Sequence, residues 1–427
     1  DRQSSHHQQM SAVSNNLAQP GPMATDFYRK PLPVGLISLS SPNGRELLQA
    51  SGEDGETMAL RALEVCMPGD PTSPSLSALA IALNALHVDN GRMWPGPWRW
   101  YSVWLLRKAV GLHADLRGEV EELALLGPPC GVQAAAVRPG ESDEASFRSQ
   151  LLATVRSENE TADPGCVVVG FGGEPLGMDP ASNWACVPAV NEEQDMCLLI
   201  DGRSAACWVP TATLWQAVCT QPKGSEGRAA TGFVLLRRDD ERAGLFSRFC
   251  IRGLEGDLPP MQDFVILLEA IAPSALEGKL DPGSAISALV GGAMSRGRLV
   301  HVLRQYELLL AHGQGIEQAH ADAMTEVLSA VHRTPLYLRI ELVLQDELVR
   351  SGIGSWRASR TSAELLAFFL GCTAPDILFD HLPATLRNEM YSLHQGVSTC
   401  SPAVAREVAV VRAHVTLNRT LQTSPHP

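Results

Sequence analysis

Apolar positions fall into two textures along the chain. Between residues 26 and 238, short apolar blocks alternate with polar turns. Leu76 to Leu86 (LSALAIALNAL) is apolar almost throughout, Ala-rich and free of β-branched clusters, which predicts a buried helix. The runs at 166–171 (CVVVGF), 196–200 (MCLLI) and 232–237 (GFVLLR) predict strands bounded by turn residues. A helix ahead of several strands suggests α+β layers rather than regular βαβ units. Further on, the spacing becomes helical: Ile316, Ala319, Ala323, Val327, Leu328 and Val331 recur every three or four positions. Similar stretches cover 261–272, 284–311, 335–350, 361–371 and 402–421, mostly separated by Gly, Pro or Ser, without the internal period of a solenoid. These textures divide the chain into a mixed domain over 26–238 and a helical domain over 245–427, with RDDERAG (238–244) as the exit. Residues 1–25, rich in Ser, Gln, Asn and His, read as a disordered tail lacking the apolar core of a secretory signal. Their few acidic residues also suit the end of a transit peptide.

Composition narrows the function classes. The chain has 427 residues, 45% hydrophobic and 19% charged, with a formal net charge of −13. An acidic globular chain is a poor general partner for nucleic acid or an anionic membrane surface. No apolar run reaches the roughly 18 residues that span a bilayer. The ten cysteines form no C-x-x-C pair, which removes zinc-ribbon and thioredoxin-type motifs. Cys166 and Cys197 open apolar runs, and such thiols read as small buried hydrophobes in a reducing compartment. That reading favours the cytoplasm, or an organelle if the tail is the end of a transit peptide.

Two local patterns invite stronger readings. Gly170-Phe171-Gly172-Gly173 follows a predicted strand, but Pro175 stands where a dinucleotide fingerprint needs its third glycine, and no amphipathic helix follows. A β-turn is the simpler account. Walker A, H-E-x-x-H and G-x-S-x-G motifs are missing from the sequence. The patch Trp94-Pro95-Gly96-Pro97-Trp98-Arg99-Trp100-Tyr101 concentrates tryptophan, which totals only 8. It reads as a packed structural loop or as an aromatic binding shelf.

That patch, GRMWPGPWRWY (91–101), together with LNALHVDN (83–90), resembles the LNAL…DPGR-x-W-KGPWRW segment of phytochelatin synthases. FYRKPLPVGLISLSSPNGRELLQ (27–49) is similar to their opening block, NEEQDMCLLID (191–201) to their ERDMALILD, WVPTATLWQAV (208–218) to their WVPLxLLWEAM, and TGFVLLRR (231–238) to their RGFMLISR strand. The resemblance implies a papain-like α+β domain over 26–238. The helical half is similar only in texture, ELLAFFLGC (364–372) being its best local match. It also implies a cysteine thiolate that takes γ-glutamyl-cysteine from glutathione, releases glycine and passes the acyl group to a second glutathione, with heavy-metal thiolates such as cadmium complexes promoting the reaction.

Such chemistry needs a nucleophile, a His that accepts and returns its proton, and a carboxylate that orients the His. Carried over motif by motif, the family's nucleophile position falls on Pro74, its base position on Asn183 and its acid position on Asp201. The Asn183–Asp201 interval equals that of the family's His and Asp. The oxyanion-hole Gln six residues before the nucleophile becomes Pro68. Proline offers no nucleophilic atom and asparagine no exchangeable proton near neutral pH. Only Asp201 keeps its type, and it then reads as a structural acceptor. Ser73 and Ser75 flank Pro74, and Cys66 acting with His87 or His113 is the alternative thiol arrangement. The family's cysteine-rich metal clusters have no counterpart among Cys250, Cys372 and Cys400, which are far apart.

These observations imply a phytochelatin-synthase-like protein without catalytic machinery, serving as a binding, regulatory or structural subunit. Its partners would be glutathione or a metal–glutathione thiolate, a paralogue or a larger assembly, with neither nucleic acid nor a membrane span. No cofactor is expected, heavy-metal ions such as cadmium entering only with an active enzyme. The alternative is a working glutathione γ-glutamylcysteinyltransferase with displaced catalytic residues.

Overall fold

The computed structural model describes residues 32–64, 73–88, 100–109, 119–156, 163–222 apart from 181 and 202–205, 231–239, 318–350 and 360–373, with a few isolated positions beyond. The tail at 1–25, the stretch at 261–272 and nearly all of 284–311 and 402–421 lie outside them.

The first half is organised around one antiparallel sheet. Its strands are β1 (Ile37–Ser38), β2 (Val132–Val137), β3 (Cys166–Gly172), β4 (Ser182–Asn191), β5 (Met196–Ile200), β6 (Cys207–Pro210) and β7 (Gly232–Arg238), in the spatial order β1-β6-β5-β4-β3-β7-β2. All the described pairings are antiparallel. Among the described residues seven helices accompany it: α1 (Pro42–Gln49), α2 (Gly52–Glu64), α3 (Pro74–Ala85), α4 (Val103–Ala109), α5 (Val120–Leu126), α6 (Glu144–Val155) and α7 (Thr211–Cys219).

Strand alternation assigns each face to its own helical layer. Val168, Trp184, Cys186, Leu198, Ile200 and Trp208 face α1 to α5. Val167, Val169, Phe171, Ala185, Leu199 and Phe233 face α6 and α7. With both faces covered, β3 and β5 are buried along their whole length. Continuous apolar runs such as CVVVGF are the sequence signature of that environment, although it is more familiar in parallel sheets. The three predicted strands match β3, β5 and β7 to within a residue.

Pro188 would break the ladder of a central strand. It lies where the β4–β5 register shifts by one residue, between the pairs Cys186–Ile200 and Ala189–Leu198. The extra residue returns Ala189 to the face of Cys186.

Helix α3 is the predicted buried helix, and Ser75 to Ala85 are all buried in it. It packs against β3 and β4 on one side and against α2, α4 and α5 elsewhere. A helix with apolar residues on every side can sit only in such an enclosed position.

In the second half, α8 (Gln318–His332), α9 (Pro335–Arg350) and α10 (Arg360–Thr373) pack on one another. Val327, Val331, Tyr337, Ile340, Leu344, Leu365 and Phe368 bury their side chains there. None of the described helices is long and apolar enough to cross a membrane.

Candidate functional site

Pro74 is the first residue of α3. Its fixed φ and missing N–H suit that position, because the first helical amides have no intrahelical acceptor. Ser73 caps the helix at φ −144° and ψ 65° without a side-chain bond into the first turn. Instead its carbonyl accepts from the Ser77 amide at 3.0 Å and from the Ser77 hydroxyl at 3.1 Å. Its own hydroxyl accepts a hydrogen bond from the Arg107 guanidinium. Ser73, Ser75 and Ser77 are buried.

His87 lies just beyond the C-terminal end of α3, in the left-handed conformation at φ 50°. Twelve residues of helix place it about 18 Å along the axis from Pro74, out of reach as a proton acceptor for Ser73 or Ser75. Its ring stands edge-on to Trp100 with centroids 6.3 Å apart. Partial burial, followed by the charge of Arg61, lowers its pKa, so the imidazole is neutral at physiological pH. Cys66, Pro68 and His113 lie outside the described residues, as do the tryptophans at 94 and 98.

Asn183 is the second residue of β4, paired with Phe171 and 6% exposed. Its Nδ2 donates to the Asp179 carbonyl at 2.9 Å. Asp201 follows the last residue of β5, the strand beside β4. Extending the Cys186–Ile200 pairing by one step sets Asp201 opposite Ala185, two residues from Asn183 and on the same face. That face carries α6 and α7, whereas α3 packs on the other. The sheet therefore brings Asn183 and Asp201 onto one face of adjacent strands, while Pro74 belongs to the layer across β4.

The thiols sit where apolar packing puts them. Cys130, Cys166, Cys186, Cys197 and Cys207 are buried, and Cys219 is exposed. Burial pushes the Cys197 thiol up to about 12, with its sulfur 3.3 Å from the Thr211 hydroxyl. Cys207 is also pushed up to about 12, first by burial and then by the Asp201 carboxylate. These thiols stay protonated and unreactive near neutral pH. Among the described residues no group of three or more His, Cys, Asp or Glu side chains is placed to hold a metal ion. The turn after β3 is the short 3-10 segment Glu174–Leu176, where a phosphate-binding helix would have been needed.

Sequence reasoning missed the polar contacts that join the shared motifs. Tyr101, closing the tryptophan patch, exchanges backbone hydrogen bonds with the Asn84 side chain at 2.7 and 3.0 Å. Its hydroxyl donates to the Cys130 carbonyl at 3.2 Å. Trp208 Nε1 donates to the Gly44 carbonyl at 2.9 Å. Asn191 Nδ2 donates to the Leu47 carbonyl at 3.1 Å. A buried Asn within the apolar run LNAL was the one visible signal, since a buried amide needs partners.

Fold and site together define an α+β domain whose antiparallel sheet is clad by helices on both faces around one central helix. Residues 27–229, a little under half of the chain, match the phytochelatin synthase family. The chain is similar to glutathione gamma-glutamylcysteinyltransferase 2 of Arabidopsis thaliana, 25% identical over 227 residues, covering 51% of this chain and 48% of that protein. Glutathione gamma-glutamylcysteinyltransferase 1 of the same plant is 26% identical over 230 residues, covering 51% of this chain and 45% of that protein. The glutathione gamma-glutamylcysteinyltransferase of Schizosaccharomyces pombe is 23% identical over 224 residues, covering 51% and 52% respectively. The chain spans about half the length of these curated relatives. The family match stops before β7, a strand hydrogen-bonded to both β3 and β2.

Proposed function

We propose that this protein is a phytochelatin-synthase-like pseudoenzyme, a papain-like domain without transpeptidase machinery that binds, regulates or builds rather than catalyses. The observation that carries this reading is Pro74 at the first position of α3. Acyl transfer from glutathione would need a thiolate there, and a pyrrolidine ring has no atom able to attack a carbonyl. Asn183 strengthens the case, because a carboxamide neither accepts nor returns a proton near neutral pH. Asp201 keeps the acid's type, but the base position offers it an amide in place of an imidazole, and its charge bears on the Cys207 thiol. The ligand class that fits the family is a γ-glutamyl thiol, glutathione or its metal thiolate, bound without cleavage.

Purified protein incubated with glutathione and Cd²⁺ is the direct test, read by mass spectrometry for γ-Glu-Cys oligomers and free glycine. No product above a protein-free control is expected. Turnover would overturn the pseudoenzyme reading in favour of a working transferase with displaced residues. Titration calorimetry with glutathione, alone and with Cd²⁺, then separates a thiol-binding role from a purely architectural one.

A further inference from the structure

We propose that Asn183 anchors a closed strap, Gly173–Asp179, laid over the end of the sheet at the position from which the family's base would act. The inference deepens the pseudoenzyme reading and rests on Asn183 being the base position. After β3 the chain folds back on itself: the amides of Leu176 and Met178 donate to the Gly173 carbonyl at 3.1 and 2.9 Å, and that of Gly177 to the Glu174 carbonyl at 3.0 Å. Gly177 adopts φ +64°, the left-handed geometry that reverses the chain most readily at glycine. The turn is then fastened to β4 by the Asn183 amide, which donates to the Asp179 carbonyl at 2.9 Å.

Close packing independently places the strap on this side chain. A Cβ at Gly173 would lie 1.9 Å from the Asp179 oxygen and 2.7 Å from Asn183 Nδ2. A Cβ at Gly172, one residue earlier, would lie 2.6 Å from the Thr220 carbonyl oxygen. The backbone at 172–173 thus has room only for glycine, and Asn183 is 6% exposed beneath it. A general base must reach a proton on substrate, whereas this side chain is covered and committed to the strap. Replacement of the base has turned the position from a proton carrier into a fastening.

Hydrogen exchange read by mass spectrometry on the full chain tests the strap. Asn183→Ala removes the fastening, and Asn183→Asp replaces a donor with a carboxylate facing the Asp179 carbonyl. Both are expected to speed exchange at Leu176, Gly177 and Met178 by roughly five- to tenfold, the effect of about one lost hydrogen bond, while β3 and β4 keep wild-type protection. Unchanged exchange at those three amides, or an equal rise across β3 and β4, would overturn the strap. Glycine release from glutathione by the wild-type protein would instead remove the pseudoenzyme reading and leave the strap intact, so the two failures are distinguishable.

Discussion

Asn84 and Tyr101 hold each other by two hydrogen bonds, Tyr101 N–H to Asn84 Oδ1 at 2.7 Å and Asn84 Nδ2–H to the Tyr101 carbonyl at 3.0 Å. The side chain of Asn84 thereby acts as a piece of strand edge for a backbone segment that has no ladder. Both residues belong to the motif blocks through which the sequence resembles phytochelatin synthases, and both are buried. Asn84→Ala would leave the Tyr101 amide and carbonyl without these partners, at a cost of about 2–4 kcal/mol. A chemical-denaturation midpoint should fall accordingly with an unchanged slope.

Trp208 and Gly44 repeat the pattern at the other end of the domain. The indole donates to the Gly44 carbonyl at 2.9 Å, and a Cβ at Gly44 would lie 2.0 Å from the Ser38 carbonyl. Trp208→Phe keeps an aromatic ring but loses the donor and some volume, costing about 1–3 kcal/mol. Gly44→Ala should be worse than a simple helix substitution, because backbone rather than a flexible side chain must move. Thermal unfolding of the two variants checks that the alanine does not stabilise α1, as intrinsic propensity alone would have it do.

How much of this was readable follows from where the physics is local. The runs CVVVGF, MCLLI and GFVLLR were legible as strands because both faces of the sheet are buried, so the apolar pattern is uninterrupted. VQAAAV of β2 lacks that density, and Pro188 and Asn183 disguise β4, whose register shift is a property of the pair β4–β5 rather than of either strand. The predicted helix begins at Leu76, and the structure opens it two residues earlier, at Pro74, where the missing N–H costs nothing. The strap on Asn183 was invisible, since a bond to Asp179 and the crowding of Gly173 depend on the whole turn. The shared motifs were visible as similarity, but their work in joining α1 to β6 and α3 to Tyr101 needed coordinates.

The thiols make a prediction in pH. Cys197 and Cys207 both rise from an ordinary value of 9.0 to about 12 in the folded protein. Between those values the unfolded chain has lost protons that the folded chain retains, so stability is full below pH 9 and falls as pH rises toward 12. Each thiol contributes at most about 1.4 kcal/mol per pH unit in that window. Cys207→Ala should flatten the alkaline limb of a stability–pH curve, whatever it costs near pH 7. In native protein at pH 8, peptide-resolved alkylation should mark Cys219 ahead of the five buried thiols.

In the bundle of α8, α9 and α10, Glu364 is a nearly buried carboxylate held by Arg360 Nε at 2.6 Å, with His332 Nδ1 at 3.1 Å. His332 lies at the end of α8 and Glu364 within α10, so this carboxylate faces an imidazole of the neighbouring helix. Arg360 is largely exposed, so water screens its half of the pair and its share is small. Glu364→Ala should therefore cost more than Arg360→Ala. Helical circular dichroism during denaturation of both variants checks the order.

Introducing the family's catalytic residue types at Pro74 and Asn183 separates the two positions. Pro74→Cys touches a helix start that tolerates many residues, and losing the pre-set φ should cost less than about 1 kcal/mol. Asn183→His inserts an imidazole where the Asp179 carbonyl and the backbone of Gly173 already crowd the amide. Overpacking of that kind costs about 1–3 kcal/mol. Equal losses in thermal denaturation would mean that the strap yields easily and that the base position still has room for its former occupant. The double variant is expected to release no glycine from glutathione and Cd²⁺, because Pro68 supplies no side-chain amide to an oxyanion and the imidazole would lie under the strap. Glycine release from the double variant, with none from wild type, would show that the scaffold still aligns nucleophile and base and that only the two side chains were missing.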